Sequence, residues 1–261
     1  MSATEPSPTS ARRRGAAAEA SPAIVLRRSD FRESSRIVTC LAREHGRVTA
    51  LAKGAHRGDS VFLGRLDFLN EVRATWGPDR GGLRLLVRAE LVRERRALRE
   101  PRRFLAASHL ASLCEFATPD GRAEPAVYDL LVGGLNLLER CPAAALGQIV
   151  LGLELRFLAS QGALPDLDHC GDCGRPLEAD AFRNRDGPGL VCRDHAELPR
   201  VAIGSATLRL LRSLHRTTGR QWPELAADVS PRLAATLPGL WLAAATELRP
   251  RLRPLLFELL A

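Results

Sequence analysis

Two short cysteine turns carry the densest ligand chemistry in this 261-residue chain. Cys170-Gly-Asp-Cys173-Gly174 and Cys192-Arg-Asp-His195 each set two donors three positions apart, and eighteen residues separate the pairs. Three thiolates and an imidazole on two tight turns suit the tetrahedral sphere of Zn²⁺. Gly174 can adopt the left-handed backbone such a turn often needs. A Cys170–Cys173 disulfide with Cys192 free, or simple burial of the thiols, is the alternative, but neither uses His195 or the repeated spacing. Four protein ligands leave no open position, so the expected role of the ion is structural: it ties together residues 168–198, which have few apolar side chains of their own. His169 is expected to stay outside the sphere, because two adjacent ligands would strain each other. The other cysteines, Cys40, Cys114 and Cys141, are scattered among apolar residues like buried small hydrophobes, a usage that suits a reducing cytosol.

The second chemistry is cationic and unevenly placed. Residues 22–100 carry 17 Lys+Arg against 10 Asp+Glu, whereas residues 101–261 carry 18 of each. A +7 excess within one short region is an electrostatic footprint for a polyanion, nucleic acid first. Of the 38 basic residues, only Lys53 is a lysine. It follows Ala52 and precedes Gly54, so the chain has no Gly-Lys-Ser/Thr phosphate loop and is not a P-loop ATPase or GTPase. The acids of this region, Asp30, Glu33, Asp59 and Asp67, follow no metal-ligand pattern, which speaks against a Mg²⁺-dependent nuclease. No enzymatic activity is expected.

Elements that could position these groups follow from the hydrophobic pattern. Five short apolar or alternating runs, Ala23–Arg28, Arg36–Arg43, Arg47–Ala52, Leu66–Trp76 and Leu83–Arg93, predict strands, with turns at His45-Gly46 and at Gly77–Gly82. Five strands in so short a span, with a longer connection over Gly54–Arg65, predict a small closed barrel of the OB type, or else an SH3-like barrel. From Pro101 the spacing becomes helical, which puts the domain boundary at residues 97–101. Helices are expected at Glu124–Arg140, weakened by Gly133-Gly134, at Pro142–Gln161, and at Ser205–Arg216 with Ser205 as N-cap. Val229–Leu242 and Ala243–Leu260 complete the set, the last broken by Pro250 and Pro254. The expected class is therefore α+β: residues 1–20 a disordered tail, 21–98 an OB-fold barrel, and 99–261 an all-α domain with a zinc-binding insertion at 168–200. The longest apolar run, Ala143–Leu155, is interrupted by Gly147, Gln148, Gly152 and Glu154, so no transmembrane helix is expected, and the N-terminus lacks the apolar core of a secretory signal.

The nucleic-acid-contact candidates are Arg27, Arg28, Arg36, Arg43, Arg47, Lys53, His56, Arg57, Arg65, Arg84 and Arg88, with Arg32, Arg73 and Arg80 beside them. Two-residue alternation predicts that Arg84 and Arg88 project together. Aromatic side chains are few: Phe31, Phe62, Phe68 and Trp76, of which Phe68 and Trp76 read as barrel core. With little to stack bases on, binding should rest on phosphate neutralisation, with steep salt dependence and little sequence preference. Phosphate chemistry alone also admits an RNA-binding or translation accessory protein on the same barrel. Arg209, Arg212 and Arg216, at three and four spacing, offer a basic helix face for an acidic partner peptide or, equally, a solvated one.

Asp30-Phe-Arg-Glu-Ser-Ser-Arg-Ile37 and Gly46-Arg-Val-Thr-Ala-Leu-Ala-Lys-Gly-Ala55, followed by Ser60, Leu63, Gly64, Leu66 and Phe68, resemble the opening of the bacterial RecO family of recombination mediators. The resemblance runs over about residues 22–255 and includes the Cys-x2-Cys insertion. Asp67 stands where the family often has proline, and His195 where many members have a fourth cysteine. The likeness implies an N-terminal OB barrel, a helical domain and a zinc insertion. It further implies binding of single- and double-stranded DNA and annealing of complementary strands without ATP. It also implies work with RecR and with the acidic tail of single-stranded DNA-binding protein to help RecA load, in a nucleoid-associated cytoplasmic setting.

Overall fold

The computed structural model describes residues 20–78, 83–177, 181–226, 228–246 and 252–260. The expected tail, the turn residues Asp79–Gly82 with Arg80, and Pro250 lie outside them, except that Ala20 already begins the first strand.

Alternation closes the first half into a barrel. Strands β1 (Ala20–Phe31), β2 (Ser35–Ala42), β3 (Gly46–Ala52), β4 (Glu71–Trp76) and β5 (Arg84–Arg93) close in the order β1-β2-β3-β5-β4. The single parallel pairing, Ala50 and Leu51 with Arg84 and Leu85, makes this the OB arrangement. Along β3 the inward set is Val48, Ala50 and Ala52, and small side chains at Ala23, Ala42, Ala74 and Ala89 keep the barrel narrow enough for Trp76, Phe62, Leu66 and Leu86 to fill it. The predicted fourth strand is shorter than its apolar run, starting at Glu71 and not Leu66. Residues 66–70 instead form a turn in which Leu69 takes φ +65° and the Asn70 amide donates to the carbonyls of Gly64 and Arg65, both at 3.2 Å. Leu66 plugs the barrel while Leu69 joins the helical core, so the run is apolar without being a strand.

The second half packs on the outside of β1. Ile24, Leu26, Leu41 and Leu69 lie in one core with the helices α1 (Pro101–Phe116), α2 (Pro125–Arg140) and α3 (Leu146–Ser160). Glu100 caps α1, accepting from the backbone N–H groups of Arg102 at 3.1 Å and Arg103 at 2.9 Å. Gly134 lets α2 approach its neighbours: a Cβ there would come within 2.3 Å of Leu110 and 2.9 Å of Leu153. Residues Ala143–Ser160 are long and apolar enough to cross a membrane by composition, yet 72% of that stretch is buried as the central helix of the bundle.

Beyond α3, strands β6 (Ala181–Arg183), β7 (Leu190–Val191) and β8 (Ala202–Ile203) form the small sheet of the insertion, followed by α4 (Ser205–Arg216). The N-cap of α4 is Gly204; Ser205 sits inside the helix, where its hydroxyl accepts from Arg209 at 3.4 Å. The expected C-terminal pair is divided differently, into α5 (Pro231–Ala234), α6 (Thr236–Thr246) and α7 (Leu252–Leu259). Pro254 falls in the first turn of α7, where its missing N–H breaks no helical bond. A buried salt link holds α7 to the centre: Arg253 grips Glu154 of α3 at 2.6 and 2.8 Å, and His109 of α1 lies 2.8 Å from the same carboxylate.

Candidate metal centre and basic surfaces

Cys170, Cys173, Cys192 and His195 converge, with all donor atoms within 4.8 Å of one another. Cys170 Sγ is 3.8 Å from His195 Nδ1, and the sulfurs of Cys173 and Cys192 are 3.9 Å apart. Ligands bonded at about 2.0–2.3 Å to a tetrahedral ion lie roughly 3.5–3.8 Å from one another. The 3.2 Å between Cys192 Sγ and His195 Nδ1 needs only a small opening to match. None of the six cysteines is in a disulfide. Gly174 closes the first knuckle at φ +70°, its N–H donating to the Cys170 carbonyl at 2.9 Å. Burial pushes the Cys170 thiol up, but backbone N–H groups of Cys192, Cys173 and Asp172 aimed at the sulfur prevail and hold it at about 6, which favours the thiolate a metal requires. His169 stands outside the cluster, its ring bonded to Asp166 at 3.0 Å.

In the arginine row on α4, Arg212 and Arg216 brace this insertion, while Arg209 pairs outside it. Arg212 donates to the Leu167 carbonyl at 2.7 Å and the Leu177 carbonyl at 2.6 Å, and pairs with Asp168 at 2.9 Å. Arg216 reaches the same Asp168 at 2.7 Å, and Arg209 reaches Asp228 at 3.3 Å. Leu167 and Leu177 flank the first knuckle, so one guanidinium ties both of its ends to α4.

The barrel's candidates separate into two groups. On the side facing the helices, Arg43 chelates Asp129 with two 3.0 Å bonds, Arg47 holds Asp120 at 2.5 Å, and Arg27 meets Glu115 at 2.9 Å. Arg28 pairs with Asp67, and Arg65 donates to the Ala89 carbonyl at 2.8 Å. At the opposite end, where the β1–β2 turn meets the segment after β3, the exposed Arg32, Lys53 and Arg57 make no ion pair among the described residues. His56 and Arg36 share Asp30 there, at 2.9 and 3.1 Å, and the His56 N–H donates to the Ser34 carbonyl at 3.0 Å, joining the two segments. Beside them a groove of about 410 Å³ is lined by Leu51, Lys53, Pro78, Leu83, Arg84 and Leu85.

Arg84 and Arg88 do not share a strand face. A bulge at Val87 pairs Leu86 with Trp76 but Arg88 with Thr75, so the alternation slips between them, and Arg88 turns to Glu90 at 2.7 Å. The aromatic side chains also differ from expectation. Trp76 is barrel core, and so is Phe62, whereas Phe68 lies half-buried between barrel and helices in a T-shaped contact with Phe104, ring centroids 5.6 Å apart. Only Phe31 remains at the open end, under the Arg32 guanidinium at 5.2 Å. Sequence reasoning also missed Arg95, whose side chain is 1% exposed and pairs at 2.9 Å with both Glu71 and Glu139. Its signal, a basic run at the domain boundary, reads equally as solvated surface.

Comparison with known proteins matches residues 18–95 to the family model described as recombination protein O N terminal, and residues 98–236 to recombination protein O C terminal. The chain is 35% identical to the DNA repair protein RecO of Myxococcus xanthus over 196 residues, covering 74% of this chain and 79% of that one. It is 31% identical to the DNA repair protein RecO of Bacillus pumilus over 204 residues, covering 75% and 76%. Barrel, helical domain, insertion and sequence agree: the chain belongs to the RecO family of DNA repair and recombination proteins.

Proposed function

We propose that this protein holds DNA by its backbone at the open end of the barrel and anneals complementary single strands without ATP, as a non-enzymatic mediator in the nucleoid-associated cytoplasm. The observation that carries this reading is the exposed set Arg32, Lys53 and Arg57, cations without an acidic partner among the described residues. With Phe31 the one aromatic ring nearby, stacking contributes little there, so base edges stay free to pair. Arg36, His56 and Arg84 border the same end, and single- and double-stranded DNA share the phosphates it would contact.

Together with RecR, the protein would assist RecA to load onto DNA coated by single-stranded DNA-binding protein. The acidic, apolar-ended tail of that coating protein would fit the groove of about 970 Å³ between α2 and residues 218–223, where Leu137, Leu153 and Trp222 sit near the exposed Arg140 and Arg220. Cys170, Cys173, Cys192 and His195 would bind Zn²⁺, which supplies cross-linking of the insertion and no reaction chemistry.

The test is an annealing assay with fluorescent complementary oligonucleotides coated by single-stranded DNA-binding protein, without ATP. Pairing no faster than in the protein's absence overturns the reading. So does a single-strand affinity that stays constant between about 50 and 200 mM salt, because phosphate-held binding must weaken steeply. Competition by RNA of equal length at equal strength would favour an RNA-binding role.

A further inference from the structure

A separate surface lies where the barrel meets the helices, outside every residue assigned above to the open end. There Arg28, Asp67, Phe68, Glu94, Arg99 and Phe104 line a groove of about 340 Å³. Phe104 is in the first turns of α1 and is 43% exposed. Its T-shaped contact with Phe68 fixes the ring without covering it. Arg28 comes from β1 on one side and Arg99 from the turn before α1 on the other, their side chains 45% and 66% exposed. A held aromatic ring between two exposed guanidinium groups is the arrangement that binds an unpaired nucleotide: the ring takes the base, the cations the flanking phosphates.

We infer that this groove is a single-strand binding site in which one base stacks on Phe104 while Arg28 and Arg99 hold adjacent phosphates. The inference rests on DNA being the ligand of the barrel. Of the arginines that line the groove, Arg95 is engaged by Glu71 and Glu139, while the exposed Arg28 and Arg99 are held only by surface pairs with Asp67 and Glu94. Those ion pairs are exposed, and a phosphate can displace them at small cost, because such pairs contribute at most about 1 kcal/mol. Continuity favours DNA. Arg28 and the open-end Arg32 lie four residues apart along β1 and its turn, roughly 13 Å at strand rise, so one extended strand can reach both. A duplex cannot use the site, because its bases are already stacked on each other. The groove therefore distinguishes single from double strands, which the open end by phosphate contacts alone does not.

The test uses the full chain and a single-stranded oligonucleotide carrying 5-bromouracil. Ultraviolet crosslinking followed by peptide mapping should place a crosslink at Phe104. Phe104→Leu keeps the apolar packing and removes the π face: it should abolish that crosslink and weaken single-strand binding about tenfold, leaving duplex affinity and the salt slope unchanged. Phe104→Trp should restore binding. Arg28→Ala should instead lower the salt slope by about one phosphate. Crosslinks confined to the open end, or an F104L variant that weakens single- and double-strand binding equally, would overturn the groove while leaving the barrel reading intact. An oligonucleotide that does not bind the wild-type chain overturns both. An acidic peptide that binds wild type but not F104L, with no crosslink at Phe104, would assign the groove to a protein partner and overturn the inference too.

Discussion

The two sides of the barrel use the same residue type for opposite ends. Facing the helices, Arg27, Arg43, Arg47, Arg93 and Arg95 each meet a carboxylate from the second half of the chain. At the open end, Arg32, Lys53 and Arg57 meet none among the described residues. The first set ties the two domains together, and the second is the surface proposed for DNA. Part of the local charge excess therefore neutralises acids contributed by the other domain.

The contrast is sharpest at Arg95, where the largest effect is expected. Arg95→Met leaves the buried side chain of Glu139 and the partly exposed one of Glu71 without their shared partner, and breaking a buried pair from one side costs about 3–5 kcal/mol. Arg93 still reaches Glu139 at 2.7 Å, which places the expected loss toward the lower figure. Urea unfolding of R95M should show it. Single-strand affinity, measured where the variant is folded, should hold within twofold.

At the open end the roles reverse. The double variant Lys53→Glu, Arg57→Glu should leave unfolding within about 0.5 kcal/mol, because exposed substitutions away from special features rarely exceed that. Its single-strand affinity at low salt should fall by roughly a hundredfold. The slope of log affinity on log salt should flatten by about 0.7 for each phosphate that is no longer neutralised. If that variant still binds, and Arg43→Ala with Arg47→Ala does not, the assignment of the two sides is inverted.

How much of this could be read from residue types follows from the range of each interaction. The Cys-x2-Cys and Cys-x2-His turns are local, and they converge as their spacing requires. So is the alternation of Val48, Ala50 and Ala52, which sets the inner face of β3. Partners of arginines are not local: Arg43 finds Asp129 and Arg95 finds Glu139 across 86 and 44 residues, and no pattern within either segment announces the pairing. Intermediate cases fail at irregularities. The bulge at Val87 parts Arg84 from Arg88, and the positive φ of Leu69 ends a run that hydropathy would extend as strand.

Arg212 extends the comparison to the helical half, where an arginine again serves the fold. Arg212→Ala removes the hydrogen bonds to the Leu167 and Leu177 carbonyls and the ion pair with Asp168, loosening both ends of the first knuckle. Supporting groups of this kind typically change metal affinity by about 10–100-fold when removed. Competition for zinc against a chromophoric chelator should show a loss near the lower figure, since Arg212 acts through backbone and not through a ligand. Barrel binding of single strands should not change.

The smallest effect tests the glue side directly. Side-chain hydrogen bonding to Arg47 holds the Asp120 carboxyl below its ordinary value, against the weaker opposing pull of burial. A carboxylate depressed in the fold contributes stability that is complete above its unfolded value, about 3.9, and is lost as pH falls through the folded value. The contribution of Asp120 is therefore present at neutral pH and disappears only below about pH 4. The Asp120 side chain is 73% exposed, so solvent screening keeps the pair below about 1 kcal/mol, or at most about 2–4 °C in melting temperature for a chain of this size. Asp120→Asn should melt slightly lower than wild type at pH 7, and the difference should shrink as pH falls through the depressed folded value of Asp120. DNA affinity is the more telling readout. If Arg47 is glue, freeing it changes binding little. If D120N instead binds single strands several-fold more tightly, the released guanidinium has joined the ligand surface, and the boundary between the two sides of the barrel is set by which acids are present and not by geometry.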